Sequence, residues 1–74
     1  MNGQELRESR LAAGIAGALL SKQARVDRAG LCHIERGYSQ PSQAEIARLC
    51  EALRTLIADR HRALGELLRA RRNG

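Results

Sequence analysis

Aromatic side chains are all but missing: the chain has no Trp and no Phe, and Tyr38 is its single aromatic residue. The core must therefore come from Leu, Ile, Val and Ala, and the scarcity of aromatic and β-branched residues favours helices over sheets. The same lack argues against RNA binding through stacked bases, which needs exposed aromatic platforms. No apolar run is long enough to span a bilayer, and the N-terminus lacks the charged-then-apolar pattern of a signal peptide, so the expected location is the cytoplasm. Cysteine is sparse. Cys32 and Cys50 form no disulfide framework, and adding His33 and His61 gives four potential zinc ligands without a Cys-x-x-Cys or His-x-x-x-His clamp. No metal and no cofactor are expected. Catalysis is not expected either, because Cys32 and His33 are helix neighbours that point in different directions, with no oxyanion device or pocket-forming loop.

What the chain does have is positive charge. Thirteen basic residues face eight acidic ones, for a net charge of +5, and the pI is about 10.6. Twelve of the thirteen are Arg, with Lys22 the exception. Such a balance attracts polyanions, of which nucleic acid is the commonest inside cells. An Arg-rich coding bias and a need for bidentate phosphate contacts both account for the preference over Lys. Seventy-four residues support one domain, and a chain this short buries only about 60% of its unfolded surface, so a partner subunit helps it.

The expected architecture is all-α, a compact bundle of four to five helices. Asn2 with Glu5 three residues on makes a capping box for helix one, whose inner face carries Leu6, Arg10 and Ala13 with Leu11 beside them. Gly14 stops it, and Ile15 packs under the turn. Helix two spans about Gly17 to Ala24 and starts without a good capping oxygen, with Leu20 and Ala24 facing inward. The stretch VDRAGLCHIERG, Val26 to Gly37, reads as a short helix that Asp27 caps and Gly37 ends. Leu31 and Ile34 point inward, while Arg28, Ala29, Cys32 and His33 lie outside; Gly30 within it suggests close approach of another backbone. A loop through Tyr38, Ser39 and Gln40 leads to Pro41, and Ser42 with Glu45 caps helix four, whose stripe is Ile46, Leu49, Cys50 and Leu53. Leu56, Ile57, Leu64, Leu67 and Leu68 continue the helical pattern to about Arg71, as one extended C-terminal helix or with a bend near Arg54-Thr55. Arg72-Asn73-Gly74 are expected to fray. Arg60, Arg62, Arg69, Arg71 and Arg72 read as a solvated helical face.

With those elements placed, residues Leu6 to Leu53 resemble the lambda-repressor-like, or Cro/Xre-type, helix-turn-helix family. The carriers are Gly14 at the end of helix one, apolar Leu20, Val26, Leu31 and Ile34, and the run Ile34-Glu35-Arg36-Gly37 followed by Pro41-Ser42. Two positions depart from the family. Gly17 stands where a phosphate-contacting Gln is usual, and Arg25 where the turn usually has Gly. The resemblance implies that the second helix of the motif lies in the major groove of double-stranded DNA, with Arg28, Ala29, Cys32 and His33 toward base edges. It assigns Gly17, Lys22, Arg36, Tyr38, Ser39 and Gln40 to phosphates, and it pairs Arg10 with Glu35 as a structural ion pair.

The apolar Leu56, Ile57, Leu64, Leu67 and Leu68 exceed the needs of so small a core. They are expected to join two copies into a homodimer, with the two reading helices about 34 Å apart for half-sites one DNA turn apart. In the alternative, they fold back and complete the monomer. The function these features point to is sequence-specific repression at a roughly palindromic operator, in the manner of a small phage or mobile-element regulator or a restriction-modification controller. The rival reading is an antitoxin-type module whose C-terminal helix binds a partner protein. No membrane and no small-molecule substrate are expected.

Overall fold

The computed structural model describes residues 1–73, without the side chains of Arg72 and Asn73; helix continues through Arg72 and Asn73, where fraying is expected from the sequence, while the expectations for Gly74 and for the Arg72 side chain lie outside the described residues. It is all-helical: α1 (Gly3–Ala12), α2 (Gly17–Ala24), α3 (Arg28–Glu35) and α4 (Gln43–Asn73). Each boundary has a local cause. The Asn2 side chain accepts from the Glu5 amide at 2.8 Å, and the Asn2 amide donates to the Glu5 carboxylate at 3.1 Å, which completes the capping box of α1. Gly14 then takes a left-handed conformation, φ +70°, and turns the chain so that the Ile15 amide reaches the Arg10 carbonyl at 3.0 Å.

At the C-terminus of α2 the left-handed residue is Arg25, φ 57° and ψ 42°. A side chain there costs about 1 kcal/mol that glycine would avoid. The turn keeps its shape because the amides of Arg25 and Val26 close onto the carbonyls of Lys22 and Ser21 at 3.3 and 2.9 Å. Asp27 occupies the N-cap position of α3 with extended backbone, but its carboxylate makes no capping hydrogen bond. Position was legible there; the bond expected of that residue type was not. For α4 the box is complete, with the Ser42 hydroxyl accepting from the Glu45 amide at 3.1 Å and the Ser42 amide donating to the Glu45 carboxylate at 3.3 Å.

The core is one cluster: Leu6, Ile15, Leu20, Ala24, Leu31, Ile34, Leu49, Ala52 and Leu53. Four leucines, Leu6, Leu20, Leu31 and Leu49, are its most completely buried members, one from each helix. Because every helix contributes, α3 is clamped between α1 and α2 rather than hung from one neighbour. Leu11 is on the outside of α1, not beside its inner face.

Of the two courses open to the C-terminal segment, the structure takes the unbroken one. Helix α4 runs unbroken for 31 residues through Arg54-Thr55, and at 1.5 Å per residue it is roughly 46 Å long. It gives the molecule its elongated 49 × 19 × 18 Å form. Its first half covers the core. Leu56 belongs to that half: it is half-buried against the cluster, which follows the alternative in which these side chains complete the monomer. Ile57, Leu64, Leu67 and Leu68 remain exposed.

Two further expectations need correcting. Arg60 is not merely solvated, since its Nη1 donates to the Gly14 carbonyl at 2.7 Å and ties α4 to the turn after α1. That carbonyl is free to accept because the left-handed residue carries it out of the α1 ladder. Gly30 meets nothing but ordinary contact, with Val26 3.8 Å from a Cβ placed on it. The close backbone approach occurs at Gly3, where an added Cβ would collide with the Ile34 carbonyl. Absence of a side chain at the start of α1 thus lets it press on the end of α3.

Candidate nucleic-acid interface

A solvent-facing helix can be aimed at a ligand only if its inner face is fixed. Leu31 and Ile34 do this for α3 by burial, and Glu35 does it by charge. The Arg10 guanidinium grips the Glu35 carboxylate with two parallel bonds, Nε to Oε2 at 2.8 Å and Nη2 to Oε1 at 2.9 Å. A third bond, Nη1 to the Ile15 carbonyl at 2.8 Å, links the pair to the turn before α2. Side-chain exposures of 12% and 7% make it a largely buried pair, fully bonded, which joins α1, α3 and the intervening turn in one rigid node. Glu35 holds Arg10 above its ordinary pKa through the hydrogen bond, while burial opposes this. A raised folded-state value means the contribution of Arg10 is complete below the ordinary arginine range. It is lost only as pH climbs through the raised value, so what Arg10 contributes does not change near neutrality.

With its inner face fixed, α3 offers Arg28, Ala29 and His33 to solvent; Cys32 is half-buried between them and the core. Of the four, Cys32 has the least freedom to reach a ligand. His33 lies beside Tyr38, ring centroids 6.2 Å apart and tilted by 59°. Tyr38 is 75% exposed, which rules out a core role for the single aromatic ring. The loop after α3 leaves Arg36, Ser39 and Gln40 exposed as well, and Lys22 is exposed on α2.

Gly17 differs from the other expected phosphate-facing residues because it is buried. The cover is partly arginine: Arg7, Arg10, Arg28 and Arg36 line a small crevice with Gly17, Cys32, Leu31 and Glu35. Sequence reading missed Arg7. Its position one turn ahead of Arg10 on α1 was a usable signal, because residues three apart share a helix face. The amides of Gly17 and Ala18 have no acceptor among the described residues, as befits the first turn of a helix with no side-chain cap. Uncapped amides, the positive end of the α2 dipole and three arginines beyond the Glu35-bound Arg10 make this rim attractive to anions.

Two short helices meeting at a left-handed turn, the second clamped inside and bare outside beside a basic rim, define a DNA-binding helix-turn-helix regulator. The chain matches the model of the helix-turn-helix domain family over residues 3–63, and it belongs to that family, of the Cro/Xre kind. No curated protein and no solved structure matches it significantly. Among the described residues no helix is long and apolar enough to cross a membrane.

Proposed function

We propose that the protein represses transcription as a homodimer that reads a roughly palindromic operator through α3. The carrying observation is the clamped α3 itself: buried on Leu31, Ile34 and Glu35, with Arg28, Ala29 and His33 free at its outer edge. The N-terminal outward residues of such a helix meet base edges in the major groove, which puts Arg28 first and Ala29 beside it. Arg is suited to the two acceptors of guanine, and the Ala29 methyl to a thymine methyl. His33 and the half-buried Cys32 stand further along the same edge. Lys22, Arg36, Tyr38, Ser39 and Gln40, with the uncapped start of α2 at Gly17, flank the helix and hold phosphates.

Selection of bound fragments from random duplexes, with the wild type and Arg28→Ala, tests this reading. The expected result is a two-fold symmetric site at which Arg28→Ala loses preference at one base pair per half, worth about 1–3 kcal/mol. An equal fall in binding to every sequence would make Arg28 a phosphate contact instead.

The dimer rests on Ile57, Leu64, Leu67 and Leu68, four exposed apolar side chains on the part of α4 that has left the core. Their burial against a second copy gives each protomer's α3 a fixed partner and accounts for a palindromic site. Sedimentation at micromolar concentration is expected to give a mass near twice 8.1 kDa. A concentration-independent monomer would remove the dimer. A monomer that co-purifies with a neighbouring gene's product on the same face would favour an antitoxin-type role.

A further inference from the structure

Gly17 and Arg28 are the first residues of α2 and α3, and they meet. A Cβ placed on Gly17 would stand 3.4 Å from Nε and 3.6 Å from Nη2 of Arg28, and 3.7 Å from Cζ of Arg10. The Arg28 guanidinium therefore lies across the space that a longer side chain at position 17 would fill. Its neighbour Arg10 is neutralised by Glu35, so two guanidinium groups can sit side by side there without strong repulsion. Among the described residues nothing else restrains Arg28: it makes no side-chain hydrogen bond and no ion pair, and it is exposed. Only the shape of the crevice directs it.

We propose that Gly17 is a specificity-determining position: by bearing no side chain it makes the berth that sets the direction from which Arg28 approaches the duplex. The proposal rests on the reading that α3 enters the major groove. Gly17 is a positioning residue, acting through Arg28 and never reading a base itself. An arginine with all its rotamers free loses them on binding, and a berth that restricts them beforehand leaves more of the contact as selectivity. Fill the berth, and Arg28 is released to the solvent and to any nearby phosphate, where it contributes affinity without base preference.

The geometry supplies its own control. At 3.4 Å and beyond, a lone Cβ makes ordinary contact, so Gly17→Ala keeps Arg28 in place, whereas the longer Gly17→Gln or Gly17→Leu displaces it. The test uses the full chain and the duplex it selects, with single-pair variants at the position whose preference Arg28→Ala loses. The wild type is expected to discriminate there by roughly 5- to 150-fold, and Gly17→Ala to keep that ratio whatever it does to overall affinity. Gly17→Gln is expected to fall to the Arg28→Ala level at that pair alone, with preference elsewhere in the site retained. In the Arg28→Ala background Gly17→Gln should leave discrimination at that pair unchanged, whatever a new phosphate contact adds to overall affinity, since one residue acts through the other. A second measurement, on the unaltered protein, is the nuclear Overhauser contact between the Gly17 α-protons and the Arg28 δ-protons, which the berth requires. Overturning results are a missing Overhauser contact, or Gly17→Gln that melts like the wild type and keeps full discrimination at the Arg28 pair. Either would leave the reading of α3 standing. A wild type that selects no sequence would overturn that reading and this proposal together.

Discussion

Replacing Glu35 with Leu is expected to cost about 3–5 kcal/mol, because it strands the Arg10 guanidinium in a site where only 12% of that side chain meets solvent. A domain of this length has roughly 4–11 kcal/mol of total stability to lose, at 0.05–0.15 kcal/mol per residue. Glu35→Leu should therefore melt at least about 12 °C below the wild type, or show no cooperative transition at all. Arg10→Met should be nearly as harmful, leaving a buried carboxylate without its two donors. The double variant Arg10→Met with Glu35→Leu is the informative one. Removing both charges abolishes the desolvation penalty along with the attraction, so most of the loss should be recovered. A residual cost of about 1 kcal/mol should persist, because the Ile15 carbonyl also loses the donor Arg10 gave it. Thermal melting of the four proteins checks the account. Single variants that each cost less than about 1 kcal/mol would show instead that the two charges are effectively solvated.

The second large effect is on binding and follows from the distribution of charge. Cations and uncapped amides flank α3 along the chain: Lys22 and the first turn of α2 before it, Arg36 and the loop through Gln40 after it. Each phosphate they neutralise releases counterions, and a dimer doubles the number. The logarithm of the binding constant should fall with the logarithm of salt concentration at a slope between about −5 and −10, a loss of roughly 10³–10⁶ between 50 and 200 mM salt. Lys22→Ala should make that slope shallower by about one per protomer and weaken binding to all sequences alike. Fluorescence titration at several salt concentrations measures both. A slope near −2 for the wild type would mean that the flanking residues do not lie along the phosphates.

Much of this architecture is legible in the residues, and the reasons are local. Capping boxes fix where α1 and α4 begin, since Asn2 with Glu5 and Ser42 with Glu45 satisfy amides that the helix ladder leaves unpaired. Gly14 and Gly37 mark helix ends because both take positive φ. The Arg10–Glu35 pair was reached through family resemblance alone; a separation of 25 residues carries no local signal. What escaped sequence reading depends on where distant segments touch. Gly3 looks like an ordinary helix-start residue until α3 is laid against it, and Gly30 looks like a contact point until nothing arrives. Arg60 passed for a surface cation because its acceptor, the Gly14 carbonyl, lies 46 positions earlier. Leu56 shares a helical stripe with the exposed leucines, and periodicity shows that stripe but not where the covering helices stop. The Gly17–Arg28 contact belongs to the same class: the unusual glycine was visible, and what fills its space was not.

The central claim is that the outer edge of α3 meets the duplex. Its most direct test is a map of backbone amide chemical shifts as a selected duplex is added. The account predicts the largest changes at Arg28, Ala29, Cys32 and His33, with a second group at Gly17, Lys22 and Tyr38 to Gln40, and little change from Leu64 to Leu68. Changes gathered on the far half of α4, with α3 silent, would contradict it.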